Sequence, residues 1–183
     1  MFKNKKREKM KIAVSLPRLS FNPDLAEKLI SATKFISKEL MSFKKLSTLK
    51  IKINVRTTTL GTRTLGRVTN DHKVFAQKEF LIELNDNQSE SEMISTVAHE
   101  LVHVKQSVSK EVVYKFDKDA NKLLVSWKGK ELGEPSQIPY RERPYEVEAF
   151  SKEGILADMF LIPHLTKFKR EELKKLEKER ANG

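Results

Sequence analysis

His99-Glu100-Leu101-Val102-His103 sets two imidazoles four residues apart, with a carboxylate directly after the first. On a helix, residues four apart stand one turn above each other, so both rings leave the same face and can meet one cation while Glu100 sits beside it. Imidazole nitrogens are zinc ligands, and a carboxylate beside a cation-polarised water is a general base, so this spacing predicts metal-assisted hydrolysis. A catalytic zinc takes three protein ligands and keeps one position for water. The chain has no cysteine, so the third ligand must come from His, Asp or Glu further along.

Pro144-Tyr145-Glu146-Val147-Glu148-Ala149-Phe150 supplies two carboxylates at a helix start. Glu146 is the preferred ligand, because it shares a helical face with Ala149 and Phe150, and a small residue one turn on lets two helices approach closely. Glu148 is the alternative, and a glutamate away from the metal would instead favour the positive end of the helix dipole. Oxyanion charge needs a donor besides the metal. Tyr145 is taken as the catalytic candidate, with Tyr140, Arg143 and His164 as the others. His164, after Ile162-Pro163, also reads as a plain loop histidine, and His72 in Asn70-Asp71-His72 reads as turn chemistry.

The elements that must position these residues follow from pattern. Ser89 with Glu92 three residues later is a capping box, and Met93, Val97, Leu101, Val104 and Val108 repeat at helical spacing, which predicts a long helix from about Glu90 to Val108. Its apolar stripe leaves the histidine side to Ser95, Thr96, Gln106 and Ser107, as a helix lining a wet cleft requires. Asn22-Pro23-Asp24 opens an earlier helix with a stripe of Leu25, Leu29, Ala32, Ile36 and Leu40, ending near Phe43. Leu49 to Val55 alternates like a half-buried strand, and the Thr-rich stretch to Thr69 adds further β structure. Val74 to Asn85 reads as another strand, stopped by Asn85-Asp86-Asn87. Glu111 to Phe116 and Lys122 to Trp127 form the arms of a hairpin, with Gly129 at its end, before a loop containing Gly133, Pro135 and Pro139. Trp127 is expected in the core. Pro144 opens a helix running toward Phe160, and Arg170 to Arg180 forms a solvated, charged helix in which Glu171 can pair with Lys175.

At 183 residues the chain fits one domain with tails: a basic N-terminal tail over 1–11, a domain over 12–166 and a charged C-terminal helix or tail over 167–183. Of the net charge of +11, residues 1–11 carry +5 and 167–180 carry +3, which leaves little for the body. The basic ends are read mainly as solubility devices, with weak association with nucleic acid as their other use. Neither an apolar run of membrane-spanning length nor a secretory signal is found, so no membrane partner and an intracellular, cytoplasmic location are expected.

The segments His99 to Gln106, Trp127-Lys128-Gly129 and Arg143 to Ala149 resemble small zinc peptidases of the His-Glu-x-x-His class with a glutamate third ligand, especially compact phage-encoded and SprT-like predicted metallopeptidases. The resemblance covers about the middle third of the chain. Its Glu-x-x-Ala pattern, in which the first glutamate binds zinc, favours Glu146. The usual SprT pattern instead has a third histidine where this chain supplies glutamate. The resemblance implies an α+β, zincin-like fold with a small, mostly antiparallel sheet. It also implies one Zn2+, a protein or peptide substrate, and a strand from Lys78 to Asn85 forming the cleft edge to which an extended substrate adds. The expected function is zinc-dependent hydrolysis of peptide bonds with Glu100 as general base. The rivals are a non-catalytic phage or mobile-element protein that keeps the fold and associates with nucleic acid or an assembly, and a protease stimulated by DNA.

Overall fold

The computed structural model describes residues 10–16, 22–56, 65–69 and 78–181 and shows a mixed α+β chain. Asn22 caps helix α1 (Pro23–Leu40), its side-chain oxygen accepting from the amides of Asp24 and Leu25 at 3.0 and 3.2 Å, and Pro23 occupies the first turn. The helix stops three residues before the expected Phe43, because Met41 turns to extended backbone and buries its side chain; Phe43–Leu46 then forms the short α2.

Strands β1 (Lys11–Ser15), β2 (Lys50–Arg56), β3 (Gly66–Thr69) and β4 (Glu79–Asn85) make one sheet in the order β1-β2-β4-β3. Lys11, assigned to the basic tail by composition, thus opens a strand. The expected mostly antiparallel sheet needs correction here: β1 pairs with β2 and β2 with β4 in parallel, and only β3 runs antiparallel. A helix between β1 and β2 returns the chain to the same end of the sheet, which makes the next strand parallel. The strand expected at the cleft edge is also interior, since β4 is flanked by β2 and β3; among the described residues β3 holds that edge. The strand β4 opens at Glu79, and the part of its expected span before residue 78, like His72 and most of the Thr-rich stretch, lies outside the described residues.

Alternation along β2 buries Ile51, Ile53 and Val55 and leaves Lys50, Lys52 and Arg56 exposed, so one face of this sheet carries the core. Phe80, Ile82 and Leu84 of β4 join that layer, and α1, α3 (Glu90–Val108) and α4 (Pro144–Leu161) pack with it through Leu29, Ile36, Val97, Leu101, Val104, Leu156 and Met159. Helix α3 runs over the expected span with its full capping box: the Ser89 hydroxyl accepts from the Glu92 amide, and the Glu92 carboxylate accepts from the Ser89 amide at 2.7 Å.

A second, antiparallel sheet contains β5 (Val112–Asp117), β6 (Lys122–Trp127) and β7 (Lys130–Gly133). The third strand replaces part of the expected loop. Lys128 and Gly129 both have positive φ between the paired Trp127 and Lys130, the geometry of a tight two-residue hairpin turn that suits the twist of the strands. Trp127 is half-buried against Tyr145, with ring centroids 6.4 Å apart, and stands outside the main core.

The C-terminal helix α5 (Thr166–Ala181) is docked, contrary to the solvated helix expected. Leu173 joins the core, Arg170 forms a fork with Glu39 of α1 at 2.6 and 2.9 Å, and Glu177 receives Lys152 of α4 at 3.0 Å. Glu171 pairs with Lys174, one residue before the expected Lys175. Among the described residues no helix is long and apolar enough to cross a membrane.

Candidate metal centre

Helices α3 and α4 pack side by side with Ala149 fully buried, and the start of α4 comes close to the histidine face of α3. His99 and His103 present their Nε2 atoms 3.1 Å apart, and Glu146 Oε2 lies 3.3 Å from the first and 3.2 Å from the second. These three atoms form a nearly equilateral triangle. Metal–ligand bonds of about 2.0–2.1 Å at the tetrahedral angle require ligand atoms about 3.3 Å apart. The triangle therefore fits a zinc-sized tetrahedral cation with three protein ligands and a fourth position toward the cleft. Among the described residues it is the one His/Asp/Glu group whose ligand atoms converge in this way.

Each imidazole is held from behind. His99 Nδ1 meets Glu153 Oε2 at 2.7 Å, and His103 Nδ1 meets Gln106 Oε1 at 2.8 Å. Such partners place the proton on Nδ1 and leave Nε2 free to ligate. Neither was singled out as a partner in the sequence, although both had a signal: Glu153 lies two turns along α4 from Glu146, and Gln106 lies three residues after His103.

Charge ties the three side chains together. Burial alone would depress His99, but Glu146 and Glu153 outweigh it and raise its pKa to about 9. His103 is likewise raised, burial being outweighed chiefly by Glu146. Burial works to raise Glu146, yet the two imidazoles and Tyr140 hold it at about 2. A cation entering here takes the place of protons that Glu146 now draws onto the rings.

Glu100, 5% exposed, is directed to the other side of the imidazoles, toward β3. Burial raises its pKa above the ordinary carboxylate value, as suits a base working near neutrality. Gly66 of β3 makes this approach possible. A Cβ there would collide with Thr96 Cγ2 and stand 3.2 Å from the Glu83 carbonyl oxygen and 3.4 Å from Glu100 Oε1. A cleft of about 1070 Å³ runs past the cluster, walled by Gly66, Arg67 and Val68 on one side and by Val112, Tyr114, Tyr140 and Phe150 on the other.

The candidate donors separate. Tyr140 faces Glu146, and its own pKa is pushed up by burial first and by that carboxylate second. Tyr145 also borders the cleft, but it is buried under the β5–β6 hairpin beside Tyr114 and Trp127. Arg143 donates from Nε to the Ile138 carbonyl at 3.1 Å and stacks over Tyr140. His164 is exposed in the turn Pro163–Leu165 and does not line the cleft. Glu148 stays away from the imidazoles. It accepts from Gln106 Nε2 at 2.9 Å and pairs with Lys152 at 3.0 Å and Lys105 at 3.5 Å, which hold it at about 2 against the effect of burial.

Comparison with family models, with curated proteins and with solved structures finds no match to this chain.

Proposed function

We propose that the protein is a zinc-dependent metallopeptidase of zincin type, with His99, His103 and Glu146 as ligands and Glu100 as general base. One observation carries the reading: three ligand atoms at 3.1–3.3 Å, backed by Glu153 and Gln106, open onto a long cleft with a buried carboxylate beside them. Two imidazoles and one carboxylate in a tetrahedral arrangement favour zinc over the harder, six-coordinate cations.

When bound, the cation would lower the pKa of a water and polarise the scissile carbonyl. The rest belongs to the chain. Glu100 takes the proton of the attacking water and delivers it to the leaving amine, a transfer that its raised pKa favours. Tyr140, beside Glu146, is placed better than Tyr145 to donate to a developing oxyanion. An extended peptide lies in the cleft along β3, where Leu65 to Val68 supply backbone groups.

The test is metal content and peptidase activity of the wild type and of Glu100→Gln. The expected result is one zinc per chain in both, with hydrolysis lost by about 10²–10⁴-fold in the variant. Stoichiometric zinc with no cleavage of any member of a broad peptide and protein panel would overturn the enzymatic reading.

A further inference from the structure

The imidazole of His103 is held by more than its neighbour. Gln106, 1% exposed, accepts from His103 Nδ1 with Oε1, while its Nε2 donates to Glu148 Oε2 at 2.9 Å and to the Tyr145 carbonyl oxygen at 3.0 Å. Both partners of Nε2 are acceptors only, so the amide can face just one way. Its oxygen must then point at His103 Nδ1–H, and this holds the ring with Nε2 turned toward Glu146. Behind Glu148 stands Lys152, 1% exposed, whose ammonium donates to Glu148 Oε1 at 3.0 Å and to Glu177 of α5 at 3.0 Å. Lys105 approaches Glu148 at 3.5 Å and Glu111 at 2.7 Å. A fully buried lysine next to a buried glutamate contributes little net stability compared with an apolar pair of the same volume. Its position in line with a metal ligand gives it another use.

We propose that Glu148, anchored by Lys152, is a positioning residue for the metal centre: it fixes the amide of Gln106, and through it the His103 ring, in the one orientation that presents Nε2 to a cation. This inference rests on the zinc reading above. His99 provides the contrast, because Glu153 holds it directly and no part of the Lys152 chain reaches it.

The test is zinc affinity of the full chain by competition with a chromophoric chelator, in wild type, E148M/K152M and E39Q. The double variant replaces the buried pair with apolar side chains of similar length, so the core stays filled while Gln106 loses the charged one of its two acceptors. Its affinity is expected to fall about 10-fold or more, the usual cost of losing an outer partner. E39Q breaks the Arg170 fork, another attachment of α5, and is expected to bind as wild type does. Where the double variant does not fold, E148Q replaces it, with a loss in the same direction expected. Proton NMR of the zinc-loaded protein gives a readout that general loosening would not move. The Nδ1 proton of His103 should exchange faster in the variant, while that of His99 stays protected. Wild-type affinity in a folded variant, an equal loss in E39Q, or unchanged protection of His103 would each overturn the proposal. A wild type that holds no zinc would overturn the metal centre itself, so the two failures are distinguishable.

Discussion

Glu146 and Glu148 leave helix α4 two residues apart, are both buried, and are both held at about 2, yet they serve different neighbourhoods. Glu146 faces two imidazoles whose Nε2 atoms are 3.1 Å apart; Glu148 faces Gln106, Lys105 and the buried ammonium of Lys152. Two residues rotate a helix by about 200°. That rotation puts one carboxylate where an added cation would complete its shell, and the other where a lysine of the chain already does. Burial and a lowered pKa therefore do not distinguish a metal ligand from a structural ion pair; the nature of the partners does.

The comparison can be broken from the lysine side first. Lys152→Met leaves the buried carboxylate of Glu148 with the amide of Gln106 and, as its remaining cation, Lys105 at 3.5 Å, and urea unfolding should show a loss of about 3–5 kcal/mol. E148M/K152M should recover most of it, since neither charge is left alone. A single variant as stable as the wild type would mean that Lys152 is not needed to neutralise this site.

Acidity separates the two sides next. His99 has its pKa raised from 6.5 to about 9, so its contribution to stability in the metal-free protein is complete below pH 6.5 and is lost as pH rises through about 9. Without zinc, the stability read from melting curves should fall across that window by about 2–3 kcal/mol, and the fall should be absent with saturating zinc. Glu146 and Glu148 act at the other end: both are lowered from 4.5 to about 2, so their contributions are present above pH 4.5 and lost as pH falls toward 2. A metal-free melting temperature that is flat from pH 6.5 to 9 would contradict the coupling of His99 to its carboxylates.

A smaller effect probes the wall beside Glu100. Gly66→Ala places a methyl group against Thr96 and the Glu83 carbonyl, and thermal unfolding should show a loss of about 1–3 kcal/mol. Smallest of all is Glu171→Gln on the outer face of α5, where loss of the exposed pair with Lys174 should leave thermal unfolding unchanged. A large loss there would mean that α5 depends on its surface charges rather than on Leu173 and the Lys152 contact.

Local spacing made much of this architecture legible in the sequence. The capping box at Ser89, the stripe of α3, the two imidazoles on one face and the Pro144 start of α4 all depend on residues within a few turns of each other. Glu146 was separable from Glu148 by the face it shares with Ala149, because a small residue shows where two helices touch. Strand order was not legible, since β3 and β4 meet through pairings that no local pattern encodes, and a continuous apolar strand reads the same whether it is an edge or an interior one. The docking of α5 was not expected because Leu173 and Leu176 alone make a thin apolar stripe, and it is Leu173 that the core buries. Nothing local in the sequence marks Lys152 for burial. Only the packing of α3, α4 and α5 around it makes it a buried partner for Glu148 and Glu177.

The most direct measurement is a zinc titration of the purified wild type, Glu146→Gln and Glu148→Gln, followed by elemental analysis after gel filtration. The wild type should retain one zinc per chain and Glu148→Gln should retain it more weakly. Glu146→Gln should lose it, with affinity reduced beyond the roughly 100-fold that an outer partner costs. A wild type that binds no zinc when offered it, or a Glu146→Gln variant that binds as the wild type does, would contradict the assignment of His99, His103 and Glu146 as the metal centre.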